Sequence, residues 1–206
     1  MSKRTSASAS DEARFRIVAA LLFGLSAGIS VYHRRKADQT TAPVSLEAEG
    51  LPMIIALRGS GLTLWLSVLT YLIAPRWMRW AQLPLPAWLR WAGGGMGTAL
   101  LPLEYWMFRS IGAGITPTVA TRTDHPLVTH GPYQWVRHPL YAIGTGVFLA
   151  QSLISANWFI AVLSVLTLRL LLLRLPKEEA QLIERFGDEY QQYMQRTGRL
   201  LPRLRR

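Results

Sequence analysis

The most constraining feature of the sequence is a set of apolar blocks separated by short polar segments. The blocks cover residues 15–32, 53–74, 87–108, 140–154 and 158–175. An α-helix rises about 1.5 Å per residue, so about 20 residues cross the hydrocarbon core of a bilayer. The second and third blocks are long enough to cross alone, and half of the chain is hydrophobic. The pattern predicts an all-α integral membrane helical bundle with about five transmembrane helices.

The last two blocks are interpreted as one unit. The fourth block is too short to cross comfortably alone, but only residues 155–157 separate it from the fifth. This spacing predicts a tight helical hairpin.

The segment after the fifth block predicts an amphipathic C-terminal helical tail. Pro176 suits the first turn of a new helix, and Glu178 and Glu179 follow where carboxylates favour the helix dipole. Gly187 is interpreted as a helix stop and Asp188 as a restart.

These blocks divide the chain into a polar N-terminal tail (1–14), N-terminal transmembrane helices (15–114) and a core with a cytoplasmic tail (115–206). A basic run, His33 to Lys36, follows the first block in place of small residues suited to cleavage, so we expect a retained anchor. Five crossings place the termini on opposite sides of the membrane. Basic residues are more numerous on the C-terminal side, which predicts that this side is cytoplasmic.

Several ionisable residues lie inside the apolar blocks. Arg58, Glu104 and Arg169 are expected to face the protein interior or a polar cavity, because a charge in lipid is costly. One interpretation of Glu104 is an ion pair with a buried arginine. The glycines of the third block, Gly93 to Gly95 and Gly97, are expected to permit close helix packing.

Metal chemistry is disfavoured by the sequence. The chain has no cysteine, and three of its four histidines share one loop without a zinc-binding spacing. We therefore expect no metal site.

Two polar clusters flank the predicted hairpin. The first is "HPLVTHGPYQWVRHPLYAIG", which begins at His125, and the second is "EEAQLIERFGDEYQQYMQRTGRLLP", which begins at Glu178. A hairpin brings both to one membrane face. In this order, the two clusters and the hairpin resemble the isoprenylcysteine carboxyl methyltransferase family, part of a wider group that includes phospholipid N-methyltransferases. The resemblance covers residues 125–202.

The resemblance implies S-adenosyl-L-methionine as the methyl donor, bound at the cytoplasmic face outside any Rossmann fold. It also implies a lipid-like or prenylated small-molecule substrate, among membrane lipids and with no nucleic acid. The residues it assigns to the cofactor pocket are His125, Pro126, Leu127, Val128, Tyr133, His138, Pro139, Leu140, Tyr141 and Glu178. The arginines it places near the reaction are Arg137, Arg174 and Arg199.

Three functions remain open at this point. Carboxyl O-methylation of an isoprenylcysteine-like or other lipid-like substrate needs no general base, because a carboxylate is already ionised at neutral pH. Phospholipid amine N-methylation needs a base, for which Glu178 or Glu179 is a candidate. A membrane protein without enzymatic activity is the third. The many arginines favour an anionic acceptor, because the guanidinium fork matches a carboxylate.

Overall fold

The computed structural model describes residues 9–40, 50–112 and 126–203, which form six α-helices. Two 3-10 turns, Pro75–Ala81 and Gly131–Gln134, lie before the third and fourth of them. The helices are α1 (Ala9–Thr40), α2 (Leu51–Ile73), α3 (Ala87–Ile111), α4 (Pro139–Ile154), α5 (Trp158–Phe186) and α6 (Asp188–Arg196). The predicted helical bundle is therefore confirmed over the described residues.

Helices α1 to α5 alternate in direction, so the bundle has two ends. At one end Glu12 of α1 meets Arg90 of α3, with 2.7 Å between Oε2 and Nη1. Arg90 Nε also donates to the carbonyl oxygen of Ile154, the last residue of α4, at 2.8 Å. We call this the distal end. The other end, where α4 begins and α5 finishes, is called the site end.

Tryptophans mark both ends of the bundle. Exposed tryptophans at the distal end are Trp77, Trp80, Trp88, Trp91 and Trp158. At the site end Trp106 and Trp135 are exposed and meet edge to face, with 5.8 Å between ring centroids. Tryptophan is enriched at membrane–water interfaces. The two sets of tryptophans therefore mark the two ends of the bundle that meet the membrane–water interfaces.

Three helices are long and apolar enough to cross a membrane: residues 10–39 of α1, together with α2 and α5. Helix α4 is apolar but has 16 residues. Helix α3 has 25 residues and contains Arg90, Glu104 and Arg109, and it is not among these three. The five predicted blocks thus all form helices that run between the two ends, while only three meet the requirement of a span individually.

The predicted hairpin between α4 and α5 is confirmed. Ala156 in its turn has a positive φ of 49°. The Asn157 side chain accepts a hydrogen bond from the backbone N–H of Ile160 at 3.2 Å, which caps the start of α5. The turn is buried at the distal end, where Leu83 N donates to the carbonyl of Ala156 at 2.7 Å.

Glycine permits the close approach of α3 to its neighbours at two positions. A Cβ on Gly93 would lie 2.6 Å from Leu153 Cβ of α4, and one on Gly97 would lie 2.8 Å from Leu22 Cδ1 of α1. A Cβ on Gly95 would meet nothing within 4 Å. A Cβ on Gly94 would be in ordinary contact, 3.6 Å from Val18 Cγ1. The packing prediction therefore holds for Gly93 and Gly97, and neither Gly94 nor Gly95 has such a role.

The prediction of a new helix at Pro176 was wrong. Pro176 lies inside α5, which continues without a break to Phe186. The proline ring is on the exposed side of the helix, while its neighbour Leu175 is buried, so packing on the other side holds the helix together. Gly187, with φ of 54°, ends α5, and α6 begins at Asp188 as predicted.

Two of the ionisable residues differ from expectation. Glu104 is buried, but its partner is Ser26, whose Oγ donates to Glu104 Oε1 at 3.0 Å. Arg169 is exposed on α5, because it lies two residues from Thr167 and Leu171, which face inward, and positions two apart lie on different sides of a helix. The predicted arginine partner of Glu104 and the inward orientation of Arg169 were therefore wrong.

Candidate active site

A cavity of about 500 Å³ lies at the site end of the bundle. Its walls come from α1 to α6 and from the segment before α4. One half is polar and contains the sequence motifs; the other extends between α2, α4 and α5. The side chains that line this second, apolar half include Leu64, Trp65, Phe148 and Leu171.

Most of the predicted cofactor residues line this cavity: Pro126, Leu127, Val128, Tyr133, His138, Leu140, Tyr141 and Glu178. Pro139 is buried as the first residue of α4 and is not part of the lining. His125 lies outside the described residues. The two motif clusters, which residues 145–177 separate in the sequence, thus meet in space as the predicted hairpin requires.

His138, Tyr141 and Glu178 form one contact group in the polar half. The Tyr141 hydroxyl donates to Glu178 Oε2 at 2.5 Å. The His138 ring is stacked on the Tyr141 ring, with 5.4 Å between centroids and 15° between planes. His138 Nδ1 lies 3.7 Å from Glu178 Oε1. The group offers a ligand an aromatic surface beside a carboxylate that is 19% exposed.

Glu179, the neighbour of Glu178, faces away from the cavity and is almost completely buried. Its Oε1 lies 2.9 Å from Arg137 Nε, and its Oε2 accepts from Arg199 Nη2 at 2.7 Å. His138 Nε2 lies 3.5 Å from Glu179 Oε1. We call Glu179, Arg137 and Arg199 the glutamate clamp. It joins α5 to the segment before α4 and to the chain after α6.

Arg137 is the most heavily engaged member of the clamp. Beyond Glu179, its Nη1 donates to the carbonyl oxygens of Thr197 at 2.5 Å and Met194 at 3.1 Å. These carbonyls belong to the C-terminal end of α6, where a positive charge is favourable. Arg137 also lines the cavity. Its guanidinium therefore holds together the segments that form this part of the cavity wall.

The three arginines expected near the reaction thus have different surroundings. Arg174 lines the cavity, and its Nε lies 3.8 Å from Glu178 Oε2 one turn along α5. Arg137 lines the cavity while bound in the clamp. Arg199 is bound to Glu179 and is not part of the lining, so its contacts are those of a residue that positions others.

The chain after α6 is attached to the first motif by backbone hydrogen bonds. Gly198 N donates to the carbonyl of Trp135 at 3.0 Å, Arg137 N donates to Gly198 at 2.8 Å, and His138 N donates to Arg199 at 3.0 Å. The Tyr193 hydroxyl donates to the carbonyl of Tyr133 at 2.6 Å. Burial raises the pKa of the Tyr133 and Tyr193 phenols, so both are neutral at physiological pH.

The N-terminal half supplies residues that sequence reasoning did not assign to the site. Arg34 of α1 lines the cavity, with its Cζ 5.9 Å from the centre of the Phe108 ring, and Arg58 of α2 also faces it. Leu64 and Trp65 of α2 line the apolar half. No local motif marks these residues. The available signal was the presence of arginines in apolar blocks, which for Arg58 led to the correct expectation of a cavity.

This combination of a hairpin and two motif clusters around one cavity can be compared with known proteins. The sequence model of the isoprenylcysteine carboxyl methyltransferase (ICMT) family matches residues 96–184. The resemblance seen in the sequence is confirmed. The matched region includes the end of α3, the first motif, the hairpin and both glutamates of the second motif.

Curated relatives show the same resemblance. The chain is 35% identical over 86 residues to protein-S-isoprenylcysteine O-methyltransferase of Tribolium castaneum, covering 39% of this chain and 29% of that protein. It is 37% identical over 84 residues to the Homo sapiens protein of the same name, covering 38% and 28%. Methanethiol S-methyltransferase 1 of Bradyrhizobium diazoefficiens is 36% identical over 70 residues, covering 34% and 24%. The chain thus spans about three tenths or less of the length of these relatives.

A solved structure extends the likeness of fold to most of the chain. The eukaryotic intramembrane Ras methyltransferase ICMT has a TM-score of 0.53 to this structure at 20% identity, over 90% of this chain and 67% of that one. The match and the apolar helices together identify an integral membrane protein with the ICMT membrane fold.

Proposed function

We propose that this protein is an S-adenosylmethionine-dependent methyltransferase that methylates the carboxylate of an isoprenylcysteine-like or other lipid-like substrate at the cytoplasmic face. One observation carries the proposal. A single cavity joins the polar group of His138, Tyr141 and Glu178 to an apolar half that lies between membrane-spanning helices. Such a cavity suits a polar donor and an apolar acceptor that meet end to end.

The polar half fits the chemical groups of S-adenosylmethionine. Tyr141 and the stacked His138 provide aromatic surface for a purine ring. The Glu178 carboxylate, which is partly exposed, can accept from a ribose hydroxyl or pair with an ammonium group. Backbone groups and apolar side chains from Pro126 to Val128 border the same space. These residues would hold the donor at the cytoplasmic face.

The apolar half fits a hydrocarbon chain. Its lining residues Leu64, Phe148 and Leu171 belong to α2, α4 and α5, and two of these helices are long and apolar enough to span a membrane. Transfer of apolar surface from water to such a lining is favourable by about 25 cal/mol per Å². A prenylated or acylated acceptor would therefore bind with its chain between these helices and its reactive end in the polar half.

The bound donor would supply a methyl group on a sulfonium, and a carboxylate oxygen would bond to that carbon as the carbon–sulfur bond breaks and its electron pair stays on sulfur. This substitution releases no proton from the acceptor, so the protein needs no general base for it. What the chain contributes is position. Arg174 would orient the carboxylate through its planar fork, and the glutamate clamp would keep the segment with His138 in place.

The test uses the purified protein in detergent. Calorimetry is expected to show binding of S-adenosylmethionine or S-adenosylhomocysteine. If neither compound binds at millimolar concentration, the cofactor assignment is refuted. Incubation of the protein with labelled donor and a prenylated cysteine is expected to yield a base-labile methyl ester. A base-stable methylated amine from phospholipid would instead identify the N-methyltransferase, and a thioether product would indicate a thiol acceptor.

A further inference from the structure

The cavity has an excess of positive charge. Its ionisable lining residues with a fixed charge are one carboxylate, Glu178, and five arginines: Arg34, Arg58, Arg137, Arg174 and Arg185. A cavity of one sign with low-dielectric walls concentrates the field and attracts ligands of the opposite sign. The charge of the lining therefore favours an anionic ligand over a cationic one.

These arginines differ in the number of ion pairs and hydrogen bonds that their guanidinium groups form with the protein. Arg137 is held by the glutamate clamp, and Arg174 lies near Glu178. Arg34 donates to Ser30 Oγ at 3.2 Å, and Arg185 lies over the Phe186 ring at 4.7 Å. Among the residues that the structure describes, none forms a hydrogen bond or an ion pair with Arg58.

Arg58 lies where the polar and apolar halves of the cavity meet. It is seven residues from the start of α2 at Leu51, about 10 Å along the helix, and it lines the cavity one or two turns from Gly61 and Leu64. The nearer end of α2 is the site end, and long basic side chains in a span extend toward the nearer polar region. The guanidinium thus belongs to the boundary between the two halves.

The wall opposite Arg58 is provided by α5. Leu64 and Val68 of α2 pack with Ile160 of α5 in one buried cluster, and the two helices run antiparallel. Counting from that cluster toward the site end, Arg58 is six to ten residues along α2 and Arg174 is fourteen residues along α5. The two arginines therefore approach the junction from opposite sides, with Arg58 about one to two helical turns deeper.

We propose that Arg58 is a specificity-determining residue that binds the anionic group of the acceptor and so selects a carboxylate-bearing lipid over a neutral or cationic one. The proposal rests on the methyltransferase function proposed above. Arg58 receives the carboxylate where the apolar chain ends, and Arg174 orients it toward the donor. An amine acceptor, which is cationic at neutral pH, is repelled by the same residues.

The experiment measures binding without reaction. Calorimetry in the presence of S-adenosylhomocysteine compares N-acetyl-S-farnesylcysteine, which has one free carboxylate, with its carboxamide. We expect the wild-type protein to bind the acid roughly ten-fold or more tightly than the amide, and Arg58→Ala to lose this preference through weaker acid binding. Arg58→Lys is expected to restore part of it. No preference in the wild type, or an unchanged preference in Arg58→Ala, would overturn the proposal.

The matched control is Arg169→Ala. Arg169, like Arg58, is an exposed arginine within an apolar helix, but it lies outside the cavity, so the acid preference should be unchanged. An equal loss in both variants would show a general effect of membrane-level charge and overturn the proposal. Each variant must bind S-adenosylhomocysteine within about three-fold of the wild type, which also verifies that it is folded. Donor binding weakened specifically in Arg58→Ala and Arg58→Lys would assign Arg58 to the donor carboxylate instead.

A membrane phosphate is the other source of an anion. Binding of the acid is therefore repeated in nanodiscs of phosphatidylcholine with and without phosphatidic acid. We expect the acid to bind Arg58 in both, whereas an acid preference that disappears when phosphatidic acid is present would assign the residue to lipid phosphate. If the acid preference depends on Arg58 but no methyl ester forms, the proposed activity fails and the binding role of Arg58 stands. If the methyl ester forms equally well in Arg58→Ala, the proposed activity stands and the binding role of Arg58 fails.

Discussion

Two adjacent glutamates in α5 do different work because they point in different directions. Successive residues of an α-helix are about 100° apart, so Glu178 and Glu179 point in different directions. Glu178 faces it beside Tyr141, and Glu179 is buried between Arg137 and Arg199. The two glutamates are adjacent in the sequence motif, but their contacts differ. They assign ligand binding to Glu178 and the positioning of other residues to Glu179.

Substituting the two glutamates is expected to separate these roles. Glu178→Ala should weaken S-adenosylhomocysteine binding roughly ten-fold or more, because it removes a polar ligand contact worth about 1–3 kcal/mol. Glu179→Ala should destabilise the fold by about 3 kcal/mol or more, because it leaves Arg137 buried without its carboxylate. Calorimetry and thermal unfolding in detergent measure the two effects.

The control for this pair is Glu184→Ala, which removes an exposed carboxylate from the same helix and should change neither quantity. Equal effects of Glu178→Ala and Glu179→Ala on both donor affinity and stability would contradict the division of roles.

Arg174 is expected to act on the acceptor and not on the donor. Arg174→Ala should leave donor binding within about three-fold of the wild type and lower kcat/KM for a prenylated cysteine far more, because the guanidinium orients the acceptor. Arg174→Lys should restore little activity, because an ammonium lacks the planar fork. Initial rates and donor titration together test this, and loss of donor binding in Arg174→Ala would place the residue in the donor site.

At the scale of elements, the sequence predicted the hairpin, the Gly187 stop and the meeting of the two motif clusters in space. It did so because turns, caps and apolar blocks are local properties of the chain. The continuous α5 could not be predicted from Pro176, because its cost in a helix is offset by packing of Leu175 and Glu179 on the other face. The clamp likewise depends on three distant segments, and no local pattern shows which of two glutamates is inside.

The contact between α3 and α4 gives a prediction at this scale. Gly93→Ala is expected to lower stability by about 1–3 kcal/mol, because its Cβ would lie 2.6 Å from Leu153 Cβ and 3.0 Å from the Ala150 carbonyl oxygen. Gly95→Ala, in the same turn of the same helix, meets nothing within 4 Å and should be neutral or slightly stabilising. Thermal unfolding in detergent compares the two variants, and equal midpoints would show that α3 and α4 do not pack as closely as the structure has them.

At the scale of the whole molecule, the distal end stabilises the bundle and the site end binds ligands. The distal end closes on the buried Arg90, which contacts Glu12, the Ile154 carbonyl and the Phe15 ring 3.9 Å away. The site end contains the cavity and the motif clusters. Among the described residues, basic side chains are also fewer at the distal end, where Arg90 is neutralised by Glu12. This asymmetry supports the proposal that the site end is cytoplasmic.

The orientation can be tested in the protein's own background, because the chain contains no cysteine. Gln82→Cys introduces a single thiol at the distal end, and Gln192→Cys introduces one on exposed α6 at the site end. In intact cells, a membrane-impermeant maleimide is expected to label Gln82→Cys at once and Gln192→Cys only after the membrane is permeabilised. Two thiols at opposite ends of a bundle that crosses the bilayer must differ in whether the maleimide labels them before the membrane is permeabilised. Labelling of both from outside would contradict the membrane placement, and labelling of Gln192→Cys alone would place the candidate active site on the outer face.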